Sequence, residues 1–284
     1  MIATVWSKGL RFLAFATFAF SLCGFSALPC RADALDAFKG QQGTLRIAGG
    51  TAHIPVMKEA AKRIMERFPN ITITVAGGGS GVGIKQVGEG LVDIGNSGRA
   101  ATADEIKRYG LVAYKWALDG VAIVVHPDNP VKRLSKDQIQ AIFAGKIANW
   151  KAFGGADHGI AIYTRDAASG TRAVFWKKAL NKGEISKNAL FIPSNGAMKT
   201  TVANDPYAIG YVSVGHIDQS VAPVTLDGVP PSLDNVKSGA YTIARGLYSI
   251  TKGKATGLAA LFIDYLLSAD GQRIAVEKGF IPVK

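Results

Sequence analysis

The hydrophobic pattern of the chain alternates between short apolar runs and longer stretches in which apolar residues recur at helical spacing. Residues 45–48 and 71–75 are runs of strand length, and the second is rich in β-branched residues. Between them, apolar residues recur every three to four positions over 54–68, which predicts a helix. Further strands are predicted at 92–95, 111–126, 160–163, 209–213 and 243–250. Because strands that alternate with helices indicate βαβ units, the sequence predicts an α/β fold with a mainly parallel sheet.

Polar residues mark where several helices begin. Thr102 is followed three residues later by Glu105, which is the spacing of a capping box. Ser135 is the predicted cap of a helix that ends near Phe143, and Asp119 with Gly120 is predicted to break the long strand at 111–126. The other predicted helices cover 83–89, the stretch after 172 to about 180, 195–203, 232–237, 256–267 and 269–278.

The N-terminal segment has the pattern of a secretory signal peptide. Lys8 and Arg11 precede an apolar stretch at 12–27, which is shorter than the roughly 20 residues of a membrane-spanning helix. Small residues at 32 and 34 provide a cleavage site, so we expect residues 1–34 to be removed. An uncleaved membrane anchor is the alternative.

Cysteine usage and charge limit the chemistry of the remaining chain. Both cysteines, Cys23 and Cys30, lie in the predicted signal peptide, so the 250 residues after Ala34 can form no disulfide and no cysteine metal site. The formal net charge is +12, of which the signal segment carries +2. A basic surface can steer anions or simply aid solubility. The charges are spread out and no basic run is interleaved with aromatic residues, so we expect no nucleic-acid partner.

Two polar, glycine-containing segments follow predicted strands and open predicted helices. In the first, Arg165 stands four residues before Ser169, Gly170 and Thr171. A guanidinium offers paired N–H donors to an oxyanion, and the free N–H groups of a helix start favour negative charge. The second segment is the glycine-rich stretch at 77–83 around Ser80. Together they predict that a small oxyanion is held between two loops.

Four polar loops follow the carboxyl ends of predicted strands. They carry Thr51, Ser80, Ser97 and Arg165. In parallel α/β sheets ligands bind at these ends, so we expect the four loops to converge on one site. The alternative is that the glycine-serine loops only turn the chain.

Several signatures of enzymes are missing from the sequence. The segment at 77–83 matches neither a P-loop nor G-x-G-x-x-G, and G-x-S-x-G fails at Val82 and Arg99. The four histidines lack metal-ligand spacing. Only His53 lies in a candidate site loop, where a Ser80–His53 nucleophile pair is conceivable but has no third partner. We therefore predict no cofactor, no metal site and no enzymatic activity.

Several of these segments together resemble the periplasmic phosphate-binding proteins of ABC-type phosphate importers, over nearly the whole chain after the signal peptide. The combination of Arg-x-x-x-Ser-Gly-Thr with Phe-x-Gly-Lys and a following Asn-Trp is specific. The segments that carry the resemblance are 49–51, 79–86, 92–97, 142–146, 149–150, 165–172 and 209–212.

The resemblance implies a two-lobed periplasmic-binding-protein-like fold of type II. Each lobe would be a mainly parallel sheet flanked by helices, and a two-stranded hinge would join the lobes. Lobe one would hold residues 43–122 and 222–284, and lobe two residues 123–221. The implied function is capture of inorganic phosphate by a periplasmic monomer, which delivers it to an ABC permease in the inner membrane.

The resemblance also implies a set of ligand contacts. The residues at the matching positions are Thr51, Ala52, Ser80, Gly81, Ser97, Arg165, Ser169, Gly170 and Thr171.

One position departs from the family pattern. Many members carry an aspartate directly after the third-strand serine, where this chain has Gly98. That aspartate accepts a proton of the bound ion and so separates phosphate from sulfate, because an unpaired buried acceptor costs about 1–3 kcal/mol. Asp119 or Asp166 would be the replacement acceptor. Another tetrahedral oxyanion, such as sulfate or molybdate, is the nearer alternative ligand, and a phosphoester hydrolase is the more distant alternative function.

Overall fold

The computed structural model describes residues 33–283, so the predicted signal peptide lies outside the described residues except for its last two positions. The strands are β1 (Gly43–Gly49), β2 (Ile71–Gly78), β3 (Ile94–Ser97), β4 (Leu111–Val125), β5 (Arg133–Leu134), β6 (Ala161–Thr164), β7 (Leu190–Phe191), β8 (Ala208–Ser213), β9 (Ala222–Pro223), β10 (Thr225–Leu226), β11 (Ala244–Lys252) and β12 (Ile281–Pro282). The helices are α1 (Ile54–Arg67), α2 (Ser80–Gly88), α3 (Ala103–Tyr109), α4 (Lys136–Phe143), α5 (Gly170–Lys178), α6 (Asn195–Ala203), α7 (Leu233–Ser238), α8 (Gly257–Leu267) and α9 (Ala269–Glu277). Short 3₁₀ helices cover Ala34–Phe38, Trp150–Phe153 and Val214–His216.

The predicted helix starts are confirmed where a polar side chain caps them. Thr102 accepts a hydrogen bond from the backbone N–H of Glu105 and forms the expected capping box at α3. Ser135 and Gln138 form a second capping box at α4. These caps satisfy N–H groups that a helix start leaves without intrahelical partners, so local sequence suffices to place them.

Two strands differ from their predicted forms. β3 covers Ile94–Ser97 rather than 92–95, so Ser97 lies in the strand and not in the loop after it. The predicted break in β4 is wrong, because the strand runs without interruption through Asp119 and Gly120. Both residues are held in the ladder by β11, in which Asp119 lies opposite Arg245. Pairing with a distant strand therefore overrides the local tendency of Asp-Gly to form a turn.

The main sheet has the order β2-β1-β3-β11-β4-β8-β6-β7. The pairs on both flanks are parallel, as in β1 with β2 and β6 with β8. The central pairs of β4 with β11 and with β8 are antiparallel. β4 spans the centre, since its first part pairs with β11 and its last five residues pair with β8.

The hydrophobic core is divided into separate clusters on the two sides of this central strand. One large cluster packs α1, α8 and α9 against the first part of the sheet, around Trp116 and Phe262. The other packs α4 and α5 against the second part, around Phe143 and Tyr211. We call the elements around these clusters the first lobe and the second lobe. The result is a two-lobed α/β fold, as the resemblance implies.

The segment between β9 and β11 packs with the second lobe. Val224, Tyr241 and Ile243 belong to the second large cluster, and β10 pairs with β5. The expected boundary at 222 remains a prediction, and this packing favours a boundary near Ile243 instead.

Candidate functional site

A small enclosed cavity lies where loops of the first and second lobes meet. Its empty volume is about 180 Å³. It is lined by Gly50, Thr51, Ala52, His53, Gly79, Ser80, Gly98, Arg165, Ser169, Gly170, Thr171 and Arg245. A larger groove of about 990 Å³ lies near the start of β1, but it is open to solvent. We place the site in the enclosed cavity, because buried polar groups converge there.

Arg165 is a buried cation in the wall of the cavity. Its side chain is only 1% exposed and its Nη2 donates to the carbonyl of Pro193 at 2.9 Å. The Nε and Nη1 groups have no hydrogen-bond partner among the residues that the structure describes. Burial lowers the pKa of Arg165 from its ordinary value, although a guanidinium remains protonated in proteins. Buried donors without acceptors are costly, so this group is suited to an anionic ligand.

Arg245 is a second buried cation in the wall, and it was not among the predicted site residues. Its Nε donates to Asp119 Oδ2 at 2.8 Å, and its Nη2 lies 2.7 Å from the same oxygen. The second contact is an ion pair without hydrogen-bond geometry, so Nη2 has no hydrogen-bond acceptor in the described part of the chain. Nη1 donates to Thr171 Oγ1 at 3.1 Å. One feature of the sequence could have revealed it. Arg245 stands at a position of β11 that alternates in phase with the buried Leu247, and a charged residue at such an inward position indicates a functional or paired group.

Both carboxylate oxygens of Asp119 accept hydrogen bonds from protein donors. Its Oδ1 accepts from the Ser213 hydroxyl at 2.8 Å and its Oδ2 accepts from Arg245. Burial raises the pKa of Asp119, and the Arg245 guanidinium opposes that rise. The carboxylate is fully buried and does not line the cavity.

Four hydroxyl groups of the lining residues accept hydrogen bonds from protein donors. Ser80 Oγ accepts from Gly98 N at 2.9 Å, and Ser169 Oγ accepts from Arg172 N at 3.1 Å. Thr51 Oγ1 accepts from Asn195, and Thr171 Oγ1 accepts from Arg245 and Asn195. A hydroxyl that accepts from the protein still has its own proton to donate. The wall can therefore offer hydroxyl donors in addition to the two guanidiniums.

Two helix starts also face the cavity. α2 begins at Ser80 and α5 begins at Gly170, and both residues line the wall. Gly170 allows close approach, since a Cβ there would lie 2.1 Å from Ser80 Oγ. The dipoles of such helix starts favour negative charge, which agrees with the predicted anion cradle.

The two lobes touch through these same loops. Gly81 N donates to the carbonyl of Ala168 at 2.9 Å. Gly79 has φ of +93°, and a Cβ there would lie 2.8 Å from the Ala168 oxygen. The backbone approach between the glycine-rich loop and the loop before α5 therefore requires glycine at 79.

His53 is fully buried in the cavity wall, and neither ring nitrogen makes a hydrogen bond of good geometry among the described residues. Backbone groups of Gly50, Ser97 and Tyr248 lie close to the ring, which packs edge-on against Trp116 at 5.6 Å. Burial and then the charge of Arg245 lower the pKa of His53 to about 3, so its ring is neutral near neutral pH. Because a nucleophile needs a hydrogen-bonded base, this arrangement gives no support to a Ser80–His53 nucleophile pair.

The other predicted site residues fall into two groups. Ala52 lines the cavity with the residues described above, whereas Gly81 uses its N–H on Ala168. Ser97 does not line it, and the Ser97 hydroxyl donates to Arg99 O at 2.7 Å. Asp166 also lies outside the lining and accepts from Ala168 N at 2.8 Å. Neither predicted replacement acceptor, Asp119 or Asp166, therefore lies in the cavity wall.

Gly98 is explained by its neighbour. A Cβ at this position would lie 2.7 Å from Arg245 Nη1, so the guanidinium occupies the space that a side chain at 98 would need. The departure from the family pattern thus coincides with a second arginine in the wall.

Residues 33–283 contain neither a metal-ligating cluster nor a membrane-spanning helix. No group of three or more potential metal-ligating side chains is found there. No helix in this part of the chain is long and apolar enough to span a bilayer.

The chain is similar to known proteins over most of its length. Residues 37–270 match the sequence family described as the PBP superfamily domain. The phosphate-binding protein PstS of Bacillus subtilis (strain 168) is 43% identical over 254 residues, which are 87% of this chain and 84% of that protein.

Two solved structures are similar in fold and sequence. One, from Clostridium perfringens, is described as a phosphate ABC transporter substrate-binding protein with bound phosphate. It has a TM-score of 0.80 and 34% identity, covering 85% of this chain and 100% of that chain. An ABC-type phosphate transport receptor from Vibrio cholerae has a TM-score of 0.68 and 32% identity, covering 84% and 99%.

Proposed function

Because this chain belongs to the PBP superfamily, together with relatives named phosphate-binding proteins, we propose that it captures inorganic phosphate for an ABC importer. The observation that carries the proposal is the pair of buried guanidiniums, Arg165 and Arg245. Nε and Nη1 of Arg165 have no acceptor among the described residues, whereas Arg245 is already ion-paired with Asp119 and only its Nη2 forms no hydrogen bond of good geometry there. A tetrahedral oxyanion supplies acceptor oxygens for these N–H groups and a negative charge beside Arg165.

The size of the cavity supports a small inorganic ion. The empty space between its walls is only about 180 Å³, which suits an ion of a few atoms rather than a larger molecule. A phosphoester with a large organic group would not fit in the closed form. The lack of a base bonded to Ser80 likewise favours binding over hydrolysis. We therefore propose a binding protein without catalytic activity and without a cofactor.

The mechanism that we propose is closure of the two lobes around the ion. Thr51, Ser80 and Arg245 belong to the first lobe, and Arg165, Ser169 and Thr171 to the second, so each lobe carries half of the donors. An ion bound to one half shifts the equilibrium toward the closed form, because closure adds the donors of the other half. The excess of positive charge would steer anions toward the protein.

The proposed setting follows from the family and from the N-terminal pattern. A protein with a cleaved signal peptide would act in the periplasm as a monomer. The closed form would dock on a permease of the inner membrane and release the ion there.

The proposal is tested by calorimetric titration of the protein without residues 1–34, freed of ligand, with phosphate and then with phosphate in excess sulfate. We expect phosphate binding at micromolar concentration or below that sulfate leaves unchanged. No phosphate binding would refute the proposal. Full competition by sulfate would favour a less selective oxyanion binder, which is the second candidate because no carboxylate lines the cavity.

The predicted replacement acceptors are tested in the same assay. If Asp119 or Asp166 accepts a proton of the bound ion, the variant Asp119→Asn or Asp166→Asn will lose selectivity for phosphate over sulfate. If both variants keep it, neither residue is the acceptor.

A further inference from the structure

Asn195 is a buried amide at the start of α6 that contacts both lobes. Its Nδ2 donates to Thr51 Oγ1 of the first lobe at 3.0 Å, and its backbone N–H donates to the same oxygen at 3.2 Å. Within the second lobe, Nδ2 also lies 3.4 Å from Thr171 Oγ1 and Oδ1 accepts from Ser213 N at 3.0 Å. We infer that Asn195 is a positioning residue that fixes cavity hydroxyls as donors and latches the lobes in the closed form. The inference rests on the proposed capture of phosphate.

The number of lone pairs on each hydroxyl determines what it can do. A threonine hydroxyl has one proton and two lone pairs. Both lone pairs of Thr51 are used by Asn195, and those of Thr171 by Asn195 and Arg245. The only remaining capacity of these two hydroxyls is to donate, and both residues line the cavity. Asn195 thus orients two donors toward an oxyanion without itself lining the cavity.

Ser80 and Ser169 differ from the two threonines in this respect. Each is recorded with one protein donor, Gly98 N and Arg172 N respectively, so each keeps one lone pair. A proton on the bound ion would therefore be received at these serines rather than at Thr51 or Thr171. The threonine side of the cavity suits unprotonated oxygens.

The amide of Asn195 also closes a ring of hydrogen bonds beside the cavity. From Asn195 the ring passes to Ser213, whose hydroxyl donates to Asp119, and then to Arg245 and Thr171. The ring returns from Thr171 to Asn195. The side chain at 195 must both donate to Thr171 and accept from Ser213 to complete this ring. An amide has a donor and an acceptor, whereas an ionised carboxylate has acceptors only.

Capping of α6 does not account for the side-chain contacts of Asn195. Ser194 is the cap residue, and its hydroxyl accepts from Ala197 N at 2.9 Å. The Asn195 amide is free of that role and reaches across to the other lobe instead.

The first test replaces Asn195 with alanine and measures phosphate affinity by calorimetry and dissociation by stopped-flow fluorescence. We expect the affinity to fall at least about tenfold, mainly through faster dissociation, because the closed form loses its latch. Asn204→Ala is the matched control, since Asn204 directly follows the same helix, is exposed, and its side-chain amide donates only to Thr200 O among the contacts recorded. We expect the control to bind as the unaltered protein does.

The second test asks whether Asn195 acts through Thr51. Thr51→Val removes the hydroxyl at nearly constant shape. If Asn195 orients that hydroxyl, the loss in the double variant will be smaller than the product of the two single losses. Equal affinity of Asn195→Ala and the unaltered protein would overturn the inference. A double loss equal to the product would also overturn it, since Asn195 would then act independently of Thr51. Failure of the unaltered protein to bind phosphate would instead refute the proposed function.

Discussion

The buried pair of Arg245 and Asp119 allows the binding role of an arginine to be separated from its structural role. The variant Arg245→Met removes the guanidinium and keeps most of the apolar length of the side chain. It leaves the Asp119 carboxylate fully buried with the Ser213 hydroxyl as its remaining recorded side-chain partner.

The expected magnitudes differ for folding and for binding. Removal of one partner of a buried ion pair costs about 3–5 kcal/mol, because an uncompensated charge stays buried. The side chains of Arg245 and Asp119 are 3% and 0% exposed, so the full penalty applies. Hydrogen bonds to charged groups contribute about 1.5–3 kcal/mol, which predicts roughly 10- to 150-fold weaker phosphate binding.

The double variant Asp119→Asn with Arg245→Met provides the control. It removes both charges, so we expect most of the lost free energy of unfolding to return while phosphate binding stays weak. Urea unfolding measures the first quantity and calorimetric titration the second. The reasoning is refuted if Arg245→Met binds phosphate normally. It is also refuted if the double variant recovers full affinity, since Arg245 would then act only by supporting the fold.

The remaining predictions concern the facing arginine, the buried histidine and the loop contact. Arg165→Met will weaken phosphate binding at least about tenfold in calorimetry, because charged hydrogen bonds contribute about 1.5–3 kcal/mol. In the unfolded chain His53 takes up a proton as the pH falls below about 6.5. In the folded protein it does so only near pH 3. The free energy of unfolding therefore falls as the pH is lowered from about 6.5 to about 3, by up to about 1.4 kcal/mol per pH unit. We expect His53→Gln to remove this contribution to the pH dependence of the free energy of unfolding, measured with urea. Gly79→Ala will weaken binding, whereas Gly90→Ala will not, although both glycines have positive φ, because only the first meets the facing lobe.

Controls and contrary results are available for each of these. Unchanged affinity of Arg165→Met would show that its unpaired N–H groups do not face the ion. A slope of stability against pH in His53→Gln equal to that of the unaltered protein would contradict the reasoning. Equal effects of alanine at 79 and 90 on phosphate affinity would indicate backbone strain alone rather than a blocked approach of the lobes.

The longer elements of this protein could be predicted from its sequence, whereas the start of α2 at Ser80 and the two-residue strands β5, β7, β9, β10 and β12 were missed. The capping residues Thr102 and Ser135 place α3 and α4, and the predicted bounds of α6 agree with the structure. Helical spacing and short β-branched runs depend on neighbours a few residues away, so they are legible in one dimension. The loops that carry Thr51 and Arg165 were likewise predicted to follow strands and do so.

The composition of the cavity wall was decided by the tertiary structure. Arg245 lies 126 positions from Asp119 and Asn195 lies 144 from Thr51, and no local pattern links either pair. The uninterrupted β4 has the same origin, since its ladder with β11 holds Asp119 opposite Arg245. Sheet order and lobe closure bring these side chains together. A buried donor or charge without a partner raises the free energy of the folded state, so each of these groups needs a partner from a distant part of the chain. The sequence by itself determined most of the elements and predicted two loops suited to an anion, and the closed fold determined which side chains lie beside those loops.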